Sequence, residues 1–261
     1  MIRLALRVRG DDEGVVLAEL LALAPGGVEE ADLGDGVVEY AIYGAAGELP
    51  DLGAWGAAAG GALVEVDSRE VADDWAERWR EFHRPVQAGA VRVRAPWHEG
   101  EGIVIDPGQA FGTGGHATTR LCLEALQDLE PGGDFADLGC GSGVLAIAAA
   151  QLGWAPVLAL DFDPLAVEAT SANAAANGVE LDVRRWDLRV EAAPAAPTIA
   201  ANLLRPLLLE LRFSEPPRAL VASGLLAEEA DEVCAALAAR TRLRVARCRV
   251  EGDWAALTLV A

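Results

Sequence analysis

The sequence has 261 residues, and its 41 acidic side chains outnumber its 21 basic ones, all of them Arg, which gives a formal net charge of −20. This charge argues against sequence-independent binding of nucleic acid, which depends on Lys and Arg neutralising phosphates, and against docking on anionic lipid. No apolar run approaches the ~18 residues of a membrane span, and the four Cys residues have neither metal-type spacing nor disulfide-like density. We therefore expect a cytoplasmic protein without a metal site.

The first 67 residues predict a small domain in which two helices alternate with four strands. Alternating apolar and polar residues indicate the strands, and apolar residues at helical spacing indicate the helices. In chain order the predicted elements are strand 2–9, helix 13–23, strands 27–32 and 36–43, helix 48–58 and strand 62–67. This β-α-β-β-α-β order is that of a ferredoxin-like unit. We interpret residues 1–67 as a substrate-recognition domain.

A charged segment rich in aromatic residues follows this unit. Ser68 can cap a helix over residues 68–83, in which one face would carry three aromatic side chains, Trp75, Trp79 and Phe82. Such a face typically packs against a neighbouring element. We interpret residues 68–95, which include a predicted strand at 90–95, as the connection between two domains.

Strands and helices alternate from residue 96 to residue 261, which predicts a second domain with a doubly wound, mostly parallel sheet of seven strands. The predicted strands are 134–138, 157–160, 180–185, 197–201, 217–222, 242–249 and 254–260. The predicted helices are 118–129, 143–152, 164–177, 203–212 and 226–239. Because no helix separates the last two strands, we expect them to form an antiparallel hairpin at one edge of the sheet.

The sharpest local signal is residues 137–143, Asp-Leu-Gly-Cys-Gly-Ser-Gly, at the turn from the first strand of this sheet into its first helix. Glycines at such a turn let a ligand approach bare backbone N–H groups. A nicotinamide-binding fingerprint would need Gly or Ala at the sixth position from Gly139, where this chain has Val144. The sequence therefore disfavours an oxidoreductase that uses this cofactor.

Three further features belong to the same predicted edge of the sheet. Asp161 ends the second strand and can accept the hydroxyl groups of a ribose, whereas Asp163 precedes Pro164 and suits a helix cap. Upstream, residues 106–120 combine closely spaced glycines with Phe, His and Thr at a helix start. Asn202 follows the fourth strand, where ligands bind in doubly wound folds, although an Asn there is often a helix cap.

These motifs resemble those of class I S-adenosylmethionine-dependent methyltransferases. The sequence FGTGGHATTR placed before DLGCGSGVLAIAA, the tryptophan-rich connection and the ending EGDWAALTL are similar to the ribosomal protein L11 methyltransferase family in particular. The resemblance implies a Rossmann-like methyltransferase domain and S-adenosylmethionine as the methyl donor, without a metal. The first 67 residues match the family more in layout than in residues.

The resemblance also implies a role for each candidate site residue. The backbone of four loop residues would hold the methionine part of the donor: Gly139, Cys140, Gly141 and Gly143. Asp137 would receive the amino group of the donor. Asp161 would bind the ribose and Phe162 would flank the adenine. Asp187 could meet the adenine amine, although a surface turn explains it equally well. The upstream segment would close the donor pocket with Phe111, Gly112, Thr113, Thr118 and Thr119.

On the acceptor side, Asn202 and the carbonyl group of Leu203 would orient the incoming amine. Phe111 would lie beside the reacting groups, and Asn202 would also contact the donor. His116 could act as a base, but its place near a glycine turn favours a structural role. The family resemblance implies transfer of methyl groups to Lys side chains or the N-terminus of a protein.

The predicted substrate is ribosomal protein L11, a basic partner that would suit the charge of −20. We expect the enzyme to be a monomer with no direct nucleic-acid or membrane contact. Open alternatives are another protein, such as electron-transfer flavoprotein, an RNA or a small molecule as acceptor, and a binding module without turnover. The acidic composition itself can equally reflect the base composition of the genome.

Overall fold

A computed structural model describes residues 2–9, 29–34, 36–44, 63–70, 83–107 and 114–261, together with residues 49 and 53. The chain divides into two compact units, Met1–Glu81 and Phe82–Ala261. Among the described residues, no helix is long and apolar enough to cross a membrane. The predicted helix 13–23 lies outside the described residues, and so does the predicted helix 48–58 apart from residues 49 and 53. Residues 71–82 of the predicted connecting helix lie outside them as well.

The first unit contains four strands: β1 (Ile2–Arg9), β2 (Glu29–Gly34), β3 (Val37–Gly44) and β4 (Leu63–Glu70). They form one sheet in the order β2-β3-β1-β4, with every neighbouring pair antiparallel. This is the order that a ferredoxin-like β-α-β-β-α-β unit produces, so the prediction for the sheet is confirmed. Apolar side chains on one face are buried: Leu4, Leu6, Val8, Val38, Tyr40 and Ile42.

The predicted helix start at Ser68 is wrong. Ser68 and Arg69 lie in β4 and pair with Leu4 and Arg3 of β1, because the long first strand offers ladder partners up to Glu70. The strand β4 thus runs past residue 67, the predicted end of the first domain. The domain limits 1–67, 68–95 and 96–261 stay a prediction.

The second unit begins with a small three-stranded sheet made of β5 (Val86–Ala88), β6 (Val91–Arg94) and β7 (Ile103–Val104). Only β6 was predicted. The strand β5 forms an antiparallel hairpin with β6, and β7 pairs with β6 in parallel through Val93 and Ile103. Strands of two or three residues carry too little alternation to be predicted from their pattern.

The remaining chain builds the predicted seven-stranded sheet. Its strands are β8 (Phe135–Leu138), β9 (Val157–Asp161), β10 (Asp182–Arg185), β11 (Thr198–Asn202), β12 (Ala219–Leu226), β13 (Arg244–Glu251) and β14 (Trp254–Val260). Its helices are α1 (Ala117–Gln127), α2 (Val144–Leu152), α3 (Pro164–Ala176), α4 (Arg205–Glu210) and α5 (Ala230–Thr241), with a 3₁₀ turn at Ala227–Glu229. All seven strands and five helices were predicted, with ends that differ by a few residues.

The strand order is β10-β9-β8-β11-β12-β14-β13, and all neighbours are parallel except the pairs that involve β14. The antiparallel hairpin is confirmed, but its second strand lies inside the sheet and β13 forms the edge. The chain order reverses between β8 and β11, which creates the crevice where doubly wound folds bind ligands. Apolar side chains fill both faces of the sheet in two separate clusters.

The helix predicted at 203–212 begins only at Arg205. Leu203 continues the extended course of β11, because its N–H donates to the carbonyl group of Ser223 at 2.9 Å. Pro206 then lies in the first turn of α4, where it needs no amide hydrogen bond. The short extension places Asn202 and Leu203 at the open edge of the sheet.

Candidate functional site

The glycine loop connects β8 to α2 at the switch point of the sheet. Gly139, Gly141 and Gly143 have φ values of +74°, +53° and +84°, which side chains rarely adopt. A Cβ atom at Gly143 would lie 2.9 Å from Cγ2 of Thr170, and one at Gly139 would overlap the side chain of Leu203. The loop therefore needs glycine for its backbone shape and for close packing against two neighbouring elements.

The backbone N–H groups of this loop have partners within the protein. Those of Gly139 and Cys140 donate to the carbonyl group of Leu160 at 2.8 and 2.9 Å. That of Gly143 donates to Cys140, and that of Gly141 to Oδ2 of Asp161 at 3.0 Å. The expectation of bare N–H donors at these four positions is therefore wrong. Among the described residues, no donor reaches the carbonyl group of Gly139, so the loop offers a ligand an acceptor.

Asp137 supplies a second acceptor below the loop. Its carboxyl group is buried, Oδ2 accepts the N–H of Ala146 at 3.1 Å, and Oδ1 has no partner among the described residues. Burial, reinforced by the charge of Asp161, raises the pKa of Asp137 to about 7. A buried oxygen without a donor is costly. The ammonium group of S-adenosylmethionine supplies such a donor, so the residues present fit the predicted methyl donor.

Asp161 is held in place by two backbone groups. Its Oδ2 atom accepts from Gly141, and Oδ1 accepts from the N–H of Asp163 at 3.0 Å. Each oxygen keeps a further lone pair for a ligand hydroxyl group. Asp163 caps α3 through the N–H of Leu165 at 2.9 Å, so the predicted cap is confirmed.

Phe162 and Asp187 lie at the next position along this edge. Phe162 is 52% exposed, and the guanidinium group of Arg189 lies 4.7 Å from the centroid of its ring. Arg189 is itself bound by both carboxylate oxygens of Asp187 at 2.8 Å, which lowers the pKa of Asp187 to about 2. An exposed ring suits a flat base, whereas Asp187 already serves as the partner of Arg189.

The start of α1 is built around His116. Its Nδ1 atom caps the helix at the N–H of Thr118, 3.3 Å away, and lies 2.8 Å from the hydroxyl oxygen of the same residue. The imidazole packs edge-on against Trp254 with 4.7 Å between ring centroids. Burial and the charge of Arg120 lower the pKa of His116. These contacts give His116 a structural role, which was one of the two predicted.

The structure brings the start of α1 next to the end of β11. Thr119 is buried, and its hydroxyl oxygen lies 3.4 Å from the amide nitrogen of Asn202. Leu203 is fixed by Ser223, and Gly224, with φ +89°, allows the backbone of Leu203 to approach so closely that any Cβ there would overlap it. Two motifs that are distant in the sequence thus lie next to each other in the structure. Phe111, Gly112 and Thr113 lie outside the described residues.

Sequence reasoning missed a polar stripe on α3. Thr170 donates to the carbonyl group of Gly141 at 2.9 Å, and Asn173 donates to that of Ser142 at 2.9 Å. Asn173 Oδ1 also accepts the N–H of Asp106 at 3.0 Å, and Asn177, one turn later, binds both backbone groups of Val104 at 2.7–2.8 Å. The stripe links the glycine loop to the segment that leads towards α1. Its signal was polar residues at i, i+3 and i+7 in an alanine-rich helix.

Replacing Asn173 with Ala tests this stripe. Asn173 is 3% exposed, so Asn173→Ala removes both hydrogen bonds of a buried side chain, one to the carbonyl group of Ser142 and one from the N–H of Asp106, and we expect a loss of about 1–3 kcal/mol in the free energy of unfolding. Urea denaturation measures it. Ser171→Ala on the exposed side of the same helix is the control and should change stability by less than about 0.5 kcal/mol. Equal effects of both changes would contradict the role of the stripe.

The strand order and the glycine loop with its acidic neighbours define a Rossmann-like methyltransferase domain. A family model described as ribosomal protein L11 methyltransferase (PrmA) matches residues 56–261. The chain belongs to this family, as its motifs predicted.

Individual relatives agree with the family match. A ribosomal protein L11 methyltransferase from Symbiobacterium thermophilum is 40% identical over 198 residues, which are 71% of this chain and 65% of that protein. One from Exiguobacterium sibiricum is 34% identical over 261 residues, covering 94% of this chain and 79% of that protein. A crystal structure of ribosomal protein L11 methylase from Lactobacillus delbrueckii subsp. bulgaricus aligns with a TM-score of 0.59 and 27% identity, over 67% of this chain and 97% of that one.

The relatives are matched over part of their length. For seven of them, the alignment with this chain spans 59–69% of the relative. The relationship therefore establishes the family of this chain.

Proposed function

We propose that this protein transfers methyl groups from S-adenosylmethionine to amino groups of ribosomal protein L11. One observation carries the proposal: two groups of oxygen atoms lie at the same switch point of the sheet. The first is the buried carboxyl oxygen of Asp137 that has no partner among the described residues, and the second comprises the oxygens of Asn202 and Leu203. The first set suits the ammonium group of the donor, and the second suits an acceptor amine. The family membership and the names of the relatives support the same assignment.

The donor supplies a methyl group already activated by a sulfonium, so the protein needs mainly to hold two molecules in line. Asp137 and the Gly139 carbonyl group bind the ammonium, Asp161 accepts from the ribose hydroxyls, and Phe162 covers the adenine. The predicted contacts of the upstream segment, Thr118 and Thr119 included, complete the pocket. No step of this chemistry requires a metal, and we propose that none takes part.

On the acceptor side, a Lys ammonium has no lone pair and must lose a proton before it can attack. A site that excludes water and lies near the sulfonium charge lowers the pKa of that Lys. Asn202 Oδ1 and the Leu203 carbonyl oxygen accept the remaining N–H groups of the amine, which directs its lone pair at the methyl group. The departing proton leaves to solvent, and the methylated amine and S-adenosylhomocysteine are the products.

The charge of −20 supports a basic protein as the substrate, because opposite fields speed encounter and like charges repel nucleic acid. We propose Lys side chains and the N-terminus of L11 as the acceptors, a monomeric enzyme, and the cytoplasm as its location. The first unit, with its ferredoxin-like sheet, would recognise the substrate.

Mass spectrometry of purified L11 after incubation with this protein and S-adenosylmethionine tests the proposal. We expect mass increases by whole methyl groups on L11. Electron-transfer flavoprotein and bare ribosomal RNA, offered with the same isotope-labelled donor, are the comparison substrates. Label on either of them but not on L11 would replace the proposed acceptor, and label on none of the three would refute it.

Asp161→Ala tests the donor side alone. Removing the carboxylate eliminates the acceptors for two ribose hydroxyls and releases the N–H of Gly141, so we expect S-adenosylhomocysteine to bind about tenfold more weakly or worse. Isothermal titration calorimetry measures the affinity. Asp163→Ala, which removes only a helix cap, is the control and should leave it within about threefold. Unchanged affinity of Asp161→Ala would refute the ribose assignment.

A further inference from the structure

A cavity of about 480 Å³ lies in the second unit, and the described residues that line it include basic but no acidic side chains. The basic side chains are Arg84 and Arg94, together with two of the three His residues of the chain, His83 and His116. Since acidic residues outnumber Arg by 41 to 21 in the whole sequence, this lining reverses the average charge of the chain.

Arg94 is one of the residues that line the cavity. Its Nη1 atom donates to the carbonyl group of His98 and lies 3.5 Å from that of Ala95, which ties the guanidinium to the turn at residues 95–98. Its Nε atom has no acceptor among the described residues and is covered by protein atoms, so a ligand reaches the Nε–H edge only after the guanidinium turns towards the cavity. Nε–H and the adjacent Nη2–H form the edge of a guanidinium that binds a carboxylate with two parallel hydrogen bonds. An acceptor at this edge would remove the cost of a buried donor without a partner.

The surrounding segments keep this basic wall in place. The Nε2 atom of His98 lies 2.9 Å from the carbonyl oxygen of His83, and Trp97 packs edge-on against His83 with 6.3 Å between ring centroids. The turn that anchors Arg94 is thus tied to the start of the second unit.

The rest of the lining is apolar. Val86, Val93, Ala95 and Ile105 contribute to the walls, with prolines at positions 85 and 107. The volume falls in the range of sites that bind small molecules, about 300–1,000 Å³, which are mostly apolar with a few polar groups that fix orientation. Apolar walls beside a guanidinium suit a carboxylate attached to an apolar group better than a bare, fully hydrated phosphate.

We propose that this cavity binds an organic carboxylate, with its charged end on Arg94 and its apolar part against the valine and isoleucine walls. The cavity adjoins the candidate methyl-transfer site, because His116 lines it and caps the helix on which Thr119 contacts Asn202. The carboxylate belongs either to a free acid or to an acidic side chain of the bound protein substrate, and the second source rests on the proposed function.

Calorimetry with two small probes tests the site without requiring turnover. We expect 3-phenylpropionate to bind and the neutral 3-phenylpropanamide, which has the same apolar part, to bind at least about tenfold more weakly. Arg94→Gln should weaken the binding of 3-phenylpropionate by at least about tenfold. Arg92→Gln is the matched control, because Arg92 lies on the same strand, donates to the carbonyl group of Glu101 and is not part of the cavity lining. It should leave binding unchanged.

Equal binding of the two probes, or equal binding by Arg94→Gln and Arg92→Gln, would overturn the proposal. Thermal unfolding of each variant shows whether it is folded. If Arg94→Gln does not fold, Arg94→Lys replaces it, because Lys keeps the charge but not the paired donors. The comparison of the acid with the amide then tests the site together with this variant.

Competition between 3-phenylpropionate and L11 in the methylation assay would assign the site to the protein substrate. Binding without competition would assign it to a free acid. Absence of any methylation would refute only the proposed function.

Discussion

Asp137→Asn is expected to weaken binding of S-adenosylhomocysteine about 100-fold at pH 7.5 and, at the same time, to make the ligand-free protein more stable. The binding loss follows because the Asp137 carboxylate is the buried charged partner for the ligand ammonium, and a charge-assisted hydrogen bond of this kind contributes about 1.5–3 kcal/mol. An Asn at this position also turns an amide N–H towards the ammonium, which adds repulsion.

The gain in stability follows from the direction of the pKa shift. Burial raises the pKa of Asp137 from 3.8 to about 7, so the folded protein favours the neutral acid. The resulting contribution to stability is complete below pH 3.8 and is lost as the pH rises to about 7, which corresponds to about 4 kcal/mol for a fully buried group. Because Asn is neutral at every pH, the variant should recover about 2–4 kcal/mol above pH 7. Urea denaturation at pH 8 measures this gain.

The pH dependence of binding separates this role from a merely structural one. Ligand affinity of the unmodified protein should rise by up to tenfold per pH unit between about pH 5.5 and 7.5, as Asp137 ionises and while the ligand ammonium stays charged. Asp137→Asn should abolish this slope. Asp134→Asn, an exposed change at the start of the same strand, should alter neither affinity nor slope. A variant that keeps the slope of the unmodified protein would show that another group receives the ammonium.

The sequence predicts the sheet and helices that carry this site, because they depend on the periodicity of apolar residues. Alternating strands and helices predicted a mostly parallel sheet of seven strands, and in the structure Asp137, Asp161 and Asn202 lie towards the carboxyl ends of three adjacent strands, β8, β9 and β11. The cap at Asp163 was predictable as well, since a short acidic side chain before proline has a local function. Local chemistry and strand order therefore suffice to place the chemical groups.

Hydrogen bonds between segments that are distant in sequence were not predictable. The glycine loop suggested free N–H donors, but its partners, the Leu160 carbonyl group and the Asp161 carboxylate, depend on the distance between two strands. The contacts of Asn173 likewise join three segments, and an Asn in an alanine-rich helix has no local reason to be buried. Ser68 illustrates the opposite error, because pairing with β1 overrode a plausible helix cap.

Asn202→Ala is expected to lower turnover about 100- to 1,000-fold while leaving the affinity for S-adenosylhomocysteine within about threefold. Asn202 ends β11 on the acceptor side of the switch point, so its oxygen is placed to orient the amine rather than to hold the donor. Single-turnover methylation of L11 gives the rate, and calorimetry gives the affinity. If both fall together, Asn202 contacts the donor or supports the fold.

Two further variants separate orientation of the amine from support of the strand end. Thr119→Val removes the hydroxyl group 3.4 Å from the Asn202 amide but leaves the Asn202 oxygen, so turnover should fall much less than in Asn202→Ala. Gly224→Ala places a Cβ atom against the backbone of Leu203 and must displace that carbonyl group, so turnover should fall even though Asn202 is intact. Loss in Gly224→Ala without loss of donor affinity would show that both acceptor oxygens, held one residue apart at the end of β11, act on the incoming amine as a pair.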